Sequence, residues 1–265
     1  MDNHALILGV LAQVGPAVEA YEAPFAPLPP VIDGRLDDSA WADAEWSGDF
    51  VDIRGAEGGP TPRFRTRMKI LWSDTHLFVG ARMEEPHLWA TLTERDAIIY
   101  QDNDFEVFLD PDGDGLAYYE LEINALGTEF DLFLDRPYRE GGRAVIDWDI
   151  EGLRSGVSLW GTLNDPSDLD RRWEVEIAIP WSGLRSPDGT VVETAPVPGD
   201  VWRVNFSRVQ WPLEVVAGSY VRAVSPTPEQ PHPEDNWVWS PQGEINMHIP
   251  DRWGRLRFGP PRGGS

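Results

Sequence analysis

Cysteine is absent from the sequence, which excludes a disulfide framework, zinc–thiolate sites and thiol catalysis. Lysine is nearly absent: Lys69 is the one example, so the basic charge is almost all arginine. Lys and Arg together number 22 against 45 Asp and Glu, for a net charge of −23. So acidic a chain is repelled by nucleic acid and by anionic membrane, and neither is expected as a partner. Long hydrophobic runs are missing too. The main apolar run, Ala5 to Val14, is too short to span a bilayer. It is followed by the small-residue pattern Val18-Glu19-Ala20, but no Lys or Arg precedes Arg35. Residues 1–20 are expected to be a signal peptide of atypical kind, which predicts a secreted or periplasmic protein. What is present is core material: 13 Trp, 10 Phe and a hydrophobic share of 41% argue against disorder.

Taken in order, residues 21–30 form a Pro-rich, extended lead-in. Val31–Ala44 reads as a short strand, a turn at Asp33-Gly34 and a short helix carrying Trp41. Arg63–Ser73 and His76–Glu84 alternate in polarity about a short Ser-Asp-Thr link and predict a hairpin. Thr128–Asp135, Val157–Leu163, Arg172–Pro180, Val201–Trp211 and Trp253–Phe258 predict further strands, with a loop from Pro137 to Gly156 and a long segment from Val215 to Pro241 that carries Trp237 and Trp239. About ten short strands with hardly any helix predict an all-β fold: a single antiparallel β-sandwich, jelly-roll-like, with long loops, over residues 31–258. Phe105, Val107, Leu121, Ile123, Val175, Ile177, Val204 and Phe206 are its predicted core, and residues 259–265 a flexible tail.

The segment that organises the chain is Gln101–Thr128. Phe105, Val107 and Leu109 alternate with Glu106, Phe108 and Asp110; Tyr119, Leu121 and Ile123 alternate with Glu120, Glu122 and Asn124. If Asp110 lies opposite Tyr118, the antiparallel register also sets Glu106 opposite Glu122, with Cβ atoms roughly 5 Å apart on the non-core face. Like charges so placed point to a polar or cationic partner, with Arg203 or Arg208 as the expected counter-charge. An ordinary solvated strand face is the alternative. Asp110, Asp112 and Asp114, followed by Gly115, reproduce the front of a calcium loop. Leu121 at the twelfth position excludes an EF-hand, which leaves a simpler calcium turn or a plain Asp/Gly turn.

Six segments in this order, IDGRLDDSAW, ILWSDTHLFVGARM, DNDFEVFLDPDGD…YYELEIN, RWEVEIAIPW, WRVNFSRVQW and NMHIPDRWGRLRF, resemble a family-9 carbohydrate-binding module of the DOMON-like sandwich group. The resemblance implies a β-sandwich that holds an oligo- or polysaccharide between aromatic rings beside polar groups of one sheet. Position by position, it assigns a stacking ring to Tyr100 and a carboxylate to Glu106. A basic ligand contact falls on Glu122, a second aromatic near Met247, and a polar contact near Ser207. Asn124, Asn205 and Arg208 complete the expected carbohydrate-binding set, with Trp148, Trp211, Trp237 and Trp239 as candidate second walls. Structural calcium at Asp110, Asp112 and Asp114 is the one cofactor the resemblance implies, and no organic cofactor is expected. The expected function is non-catalytic glycan binding, in extracellular glycan capture or degradation. The alternative is glycoside hydrolysis by the Glu106/Glu122 pair, whose spacing is that of a retaining enzyme.

Overall fold

The computed structural model describes residues 18–189, 195–223 and 234–261. Short five- and three-residue 3₁₀ turns accompany fifteen strands among these residues, and no helix is long and apolar enough to cross a membrane. The strands are β1 (Ala20–Ala23), β2 (Val51–Asp52), β3 (Thr66–Trp72), β4 (His76–Glu84), β5 (Asp104–Asp110), β6 (Tyr118–Asn124), β7 (Glu129–Leu134) and β8 (Ala144–Val145). They continue with β9 (Arg154–Trp160), β10 (Arg172–Pro180), β11 (Val201–Gln210), β12 (Leu213–Val216), β13 (Ser219–Arg222), β14 (Asp235–Val238) and β15 (Gly254–Phe258). A nine-stranded sheet runs β1-β15-β11-β5-β6-β7-β8, with β14 and β2 attached beside β11; a four-stranded sheet runs β3-β4-β10-β9.

Side chains alternate between the faces of a strand, and that alternation builds the core. Phe105, Val107, Leu121, Ile123, Val204 and Phe206 from the large sheet meet Met68, Ile70, Val79, Val175 and Ile177 from the small one, all essentially inaccessible. Each large apolar side chain so buried contributes roughly 1.5–3 kcal/mol. The all-β sandwich and all eight predicted core residues are therefore observed.

The outer side of the small sheet is closed by the segment with Trp41. Its indole Nε1 donates to Glu176 Oε1 at 2.6 Å, while the amides of Asp33 and Gly34 donate to Glu176 Oε2 at 2.9 Å. Gly34 has φ +85°, and a Cβ there would lie 2.4 Å from the backbone carbon of Val157. Only glycine satisfies both the turn and this approach.

The structure adds to and corrects these expectations. The lead-in is part of the sandwich: β1 pairs with β15, Ala20 opposite Arg255 through Ala23 opposite Phe258. That pairing is parallel, as is the isolated bridge of Phe25 with Trp72, while the other strand ladders are antiparallel. β9 starts at Arg154 rather than Val157, because its partner β10 is long enough to pair Ala178 with Arg154. Part of the segment from Val215 folds into the two-stranded ribbon β12–β13. Residues 1–17, most of the expected signal peptide, lie outside the described residues; Gly259, at the head of the expected tail, donates to Ala23 O and accepts from Trp72 Nε1.

Candidate functional site

The second face of the large sheet carries a cleft of about 590 Å³. The β5–β6 register is the one expected from the sequence, with Glu106 opposite Glu122 and Phe108 opposite Glu120. β7 continues the same face with Phe130 opposite Glu122 and Leu132 opposite Glu120. Glutamates and apolar side chains thus share the cleft floor. One wall is the 3₁₀ turn Ile99–Gln101, which presents Tyr100, 46% exposed. Another is the turn Tyr138–Glu140, which presents Tyr138, 47% exposed, with its ring edge-on to His248 at 4.5 Å. Met247 and His248 come from the long connection into β15. Two half-exposed tyrosines over an apolar and carboxylate floor can stack on sugar rings and accept hydrogen bonds from hydroxyls.

The charge of this face is one-sided. Glu106, Glu120, Glu122 and Glu234 line the cleft, and no Lys or Arg does among the described residues. Glu106 is 4% exposed, Glu120 6% and Glu122 2%. Burial pushes the Glu106 carboxyl up to about 7. Burial, and then the charge of Glu106, raises Asp104, Glu120 and Glu122 well above the usual carboxylate range. His248 Nε2 is 3.9 Å from Glu120 Oε2, yet burial lowers the imidazole to about 4. At neutral pH it is uncharged and offers the glutamates no compensation.

The structure places the expected site residues in three groups. Tyr100, Glu106, Glu122 and Met247 line the cleft, and the Tyr100 amide donates to Glu122 Oε2 at 2.8 Å. Ser207 sits opposite Glu106 on β11, fully buried. Asn124 and Asn205 share the face but are enclosed in structural bonds. Asn124 Nδ2 donates to Leu92 O and Asp102 Oδ2, and its Oδ1 accepts the amides of Leu126 and Thr128. Asn205 Nδ2 donates to Ser240 O, and its Oδ1 accepts the amides of Phe206 and Ser240. Arg208 is on the wrong side altogether. It follows Ser207 and so faces between the sheets, where its guanidinium donates to Glu85 Oε2 at 2.9 Å and to Thr66 Oγ1 at 3.0 Å. Arg203 pairs with Asp251 at 2.7 Å, so neither arginine compensates the glutamates.

At the far end of the hairpin, Asp110, Asp112 and Asp114 lie close together. Both Asp110 oxygens accept amides, from Gly113 and Gly115 at 3.0 Å, while Asp112 accepts from Asp114 and Asp114 from Leu116. The turn is closed by its own backbone, as an Asp/Gly turn is. Of the candidate second walls, Trp148, Trp237 and Trp239 are buried, and Trp211 donates its indole N–H to Tyr100 O at 2.8 Å and is not among the residues lining the cleft. Sequence reasoning missed Glu120, which shares the alternating face of Glu122, and Tyr138. The one signal for Tyr138 is an aromatic side chain stranded in the polar loop Asp135–Gly142.

Fold and cleft together define the class: a β-sandwich with an aromatic-walled, carboxylate-floored binding face. Within that class, the chain is similar to the family 9 carbohydrate-binding modules. The model of the family described as "Carbohydrate family 9 binding domain-like" matches residues 32–131. The chain is 26% identical over 163 residues to Endo-1,4-beta-xylanase A of Thermoanaerobacterium saccharolyticum and 25% identical over 163 residues to Exoglucanase XynX of Acetivibrio thermocellus. In each case 62% of this chain aligns with 12% of the relative, so the chain spans about an eighth of their length. A family 9 carbohydrate-binding module from Caldicellulosiruptor kristjanssonii, solved with cellotriose, superposes with a TM-score of 0.58 at 17% identity, covering 92% of this chain and 95% of that one. The same organism's module solved with glucose gives 0.58 at 16% identity, covering 93% and 99%. At these identities the likeness establishes the fold.

Proposed function

We propose that the protein is a non-catalytic carbohydrate-binding module that holds an oligo- or polysaccharide in the cleft over β5, β6 and β7. Tyr100 and Tyr138 stack on the sugar rings, and Glu106, Glu120 and Glu122 accept hydrogen bonds from hydroxyls. The observation that carries this reading is the convergence of two half-exposed tyrosines on one cleft floored by buried carboxylates. It is supported by a fold shared with modules solved with cellotriose and glucose. The setting is extracellular glycan capture or degradation. In support stand the apolar run Ala5–Val14 followed by Val18-Glu19-Ala20, and relatives named as a xylanase and an exoglucanase.

The test is a glycan array followed by calorimetry with glucose and cellotriose. Binding without turnover is expected. Tyr100→Ala and Tyr138→Ala should each weaken it by about tenfold, the worth of one aromatic stacking contact. Absence of binding to any glycan overturns the reading. Release of reducing sugar that disappears in Glu106→Gln would instead establish the hydrolase alternative.

A further inference from the structure

Three carboxylate trios among the described residues bring one oxygen each within 4.8 Å of one another, and they differ in what meets their charge. In the first, Asp96, Asp131 and Asp149, the guanidinium of Arg95 donates to both Asp149 and Asp131. In the second, the Asp110–Asp114 turn, backbone amides donate to both Asp110 oxygens and to Oδ1 of Asp112 and of Asp114. The third is Asp104, Glu106 and Glu122, side by side on the cleft face of β5 and β6. No Lys or Arg among the described residues pairs with it.

Two amides reach this third trio: Val209 N donates to Asp104 Oδ1 at 3.1 Å and Tyr100 N to Glu122 Oε2 at 2.8 Å. One oxygen of the trio is left over. Asp104 Oδ2 is enclosed and has no hydrogen-bond partner, on a residue with 0% exposure. Ser207, opposite Glu106 in the sheet, hydrogen-bonds the Glu106 carboxyl. A buried polar atom without a partner loses on the order of 1–3 kcal/mol, more when charged. The fold keeps such an atom within a trio of acids. Asp104 lies beneath the cleft rather than on its lining, within reach of an ion but not of a sugar ring.

We propose that Asp104, Glu106 and Glu122 hold a divalent cation of the calcium type in the floor of the cleft. The donor set is oxygen only, carboxylates with a hydroxyl beside them, which selects a hard ion over zinc or copper. Calcium takes six to eight oxygens in flexible geometry, so three carboxylates leave positions for water. Glu106 and Glu122 line the cleft, and the open side of the trio is therefore the side from which a ligand arrives. If the carbohydrate reading above holds, hydroxyls of the bound sugar complete the ion's shell, and sugar affinity becomes calcium-dependent.

The experiment uses the full chain stripped with chelator, titrated with calcium chloride in the calorimeter with no sugar present, at high and constant ionic strength. The expected result is saturable binding and a higher Tm in calcium than in either chelator or magnesium. Asp104→Asn and Glu106→Gln, checked for native circular dichroism, should each weaken calcium at least tenfold. Asp112→Asn/Asp114→Asn should leave it unchanged. Should the first two variants not fold, Glu122→Gln with Ser207→Ala serves the same comparison. Absence of calcium binding, equal effects of magnesium, or loss of binding only in Asp112→Asn/Asp114→Asn overturns the proposal. A Tm raised by glucosamine but not by calcium also overturns it and assigns the acids to an ammonium ligand. The two readings fail separately: glucose binding that persists in chelator without any calcium uptake spares the carbohydrate reading alone, and calcium binding with no saccharide binding spares the cation site alone.

Discussion

Arg208 and Ser207 are neighbours on β11 and face opposite sides of the same sheet, where buried charge is handled in opposite ways. On the core side, Arg208 has 0% exposure, and its guanidinium donates to Glu85, Thr66, Gln210 and the carbonyl of Glu84. Glu85 in turn accepts the amide of His87 and the Nδ2 of Asn103. Every part of that ion pair is spoken for. On the cleft side, Asp104, Glu106, Glu120 and Glu122 are buried too, but no Lys or Arg among the described residues pairs with them. A buried ion pair that is complete is part of the architecture. Buried like charges without a partner destabilise the fold that contains them, and their persistence points to a ligand.

The largest expected effect breaks the first half of this comparison. Glu85→Ala leaves Arg208 buried without its carboxylate and should destabilise by about 3–5 kcal/mol in urea unfolding. A change below about 1 kcal/mol would mean that the core-side pair is dispensable.

The second effect concerns the one base near the cleft acids. His248 is held at about 4, against 6.5 for a free imidazole, mainly by burial. Between those values the unfolded chain binds a proton that the folded chain refuses. Stability is therefore full above pH 6.5 and lost as pH falls through 4, by about 3 kcal/mol in total. The difference in pH dependence between the natural chain and His248→Asn isolates this contribution. An imidazole titration by NMR with a midpoint above 6.5 would show that His248 is a counter-ion to Glu120, and the contrast between the two faces would shrink.

The smallest effect is the sharpest, because its sign is reversed. In chelator at pH 8, Glu106→Gln removes one of the clustered charges and keeps the side chain's shape. It should raise stability by about 1 kcal/mol, the worth of one pKa unit, whereas Glu85→Ala lowers it. Destabilisation by Glu106→Gln would place the cleft acids among the structural groups.

The same contrast explains what could be read in the sequence. Strict alternation on both sides of an Asp/Gly turn fixed the β5–β6 register, so the facing of Glu106 and Glu122 was legible from spacing alone. The core was legible for the same reason. Arg208 shares the parity of Trp202, Val204 and Phe206, which is a core parity, but an arginine there makes sense only with Glu85. That partner sits in an irregular segment with no periodicity to place it, and it is paired across 123 positions of sequence. Tyr138 was hidden similarly, since a three-residue turn has no repeat to announce which way its ring points. β1 has four residues and is strand only because β15 is beside it. Asn124 and Asn205 were read correctly as to face, but loops that fold back over that face decide their exposure.

The parallel pairing of β1 with β15 has a mechanical consequence. Because both strands run in one direction, the chain leading into Ala20 and the chain leaving Phe258 depart from opposite ends of the pair. Tension applied through these two ends pulls along the strands and loads the whole ladder in shear, including the flanking bonds from Arg255 N to Glu19 O and from Gly259 N to Ala23 O. An antiparallel pair in that place would put both exits at one end and would unzip bond by bond. The seam between first and last strands is thus oriented to resist being pulled apart, and a sandwich tethered by its ends could bear load without opening at its edge.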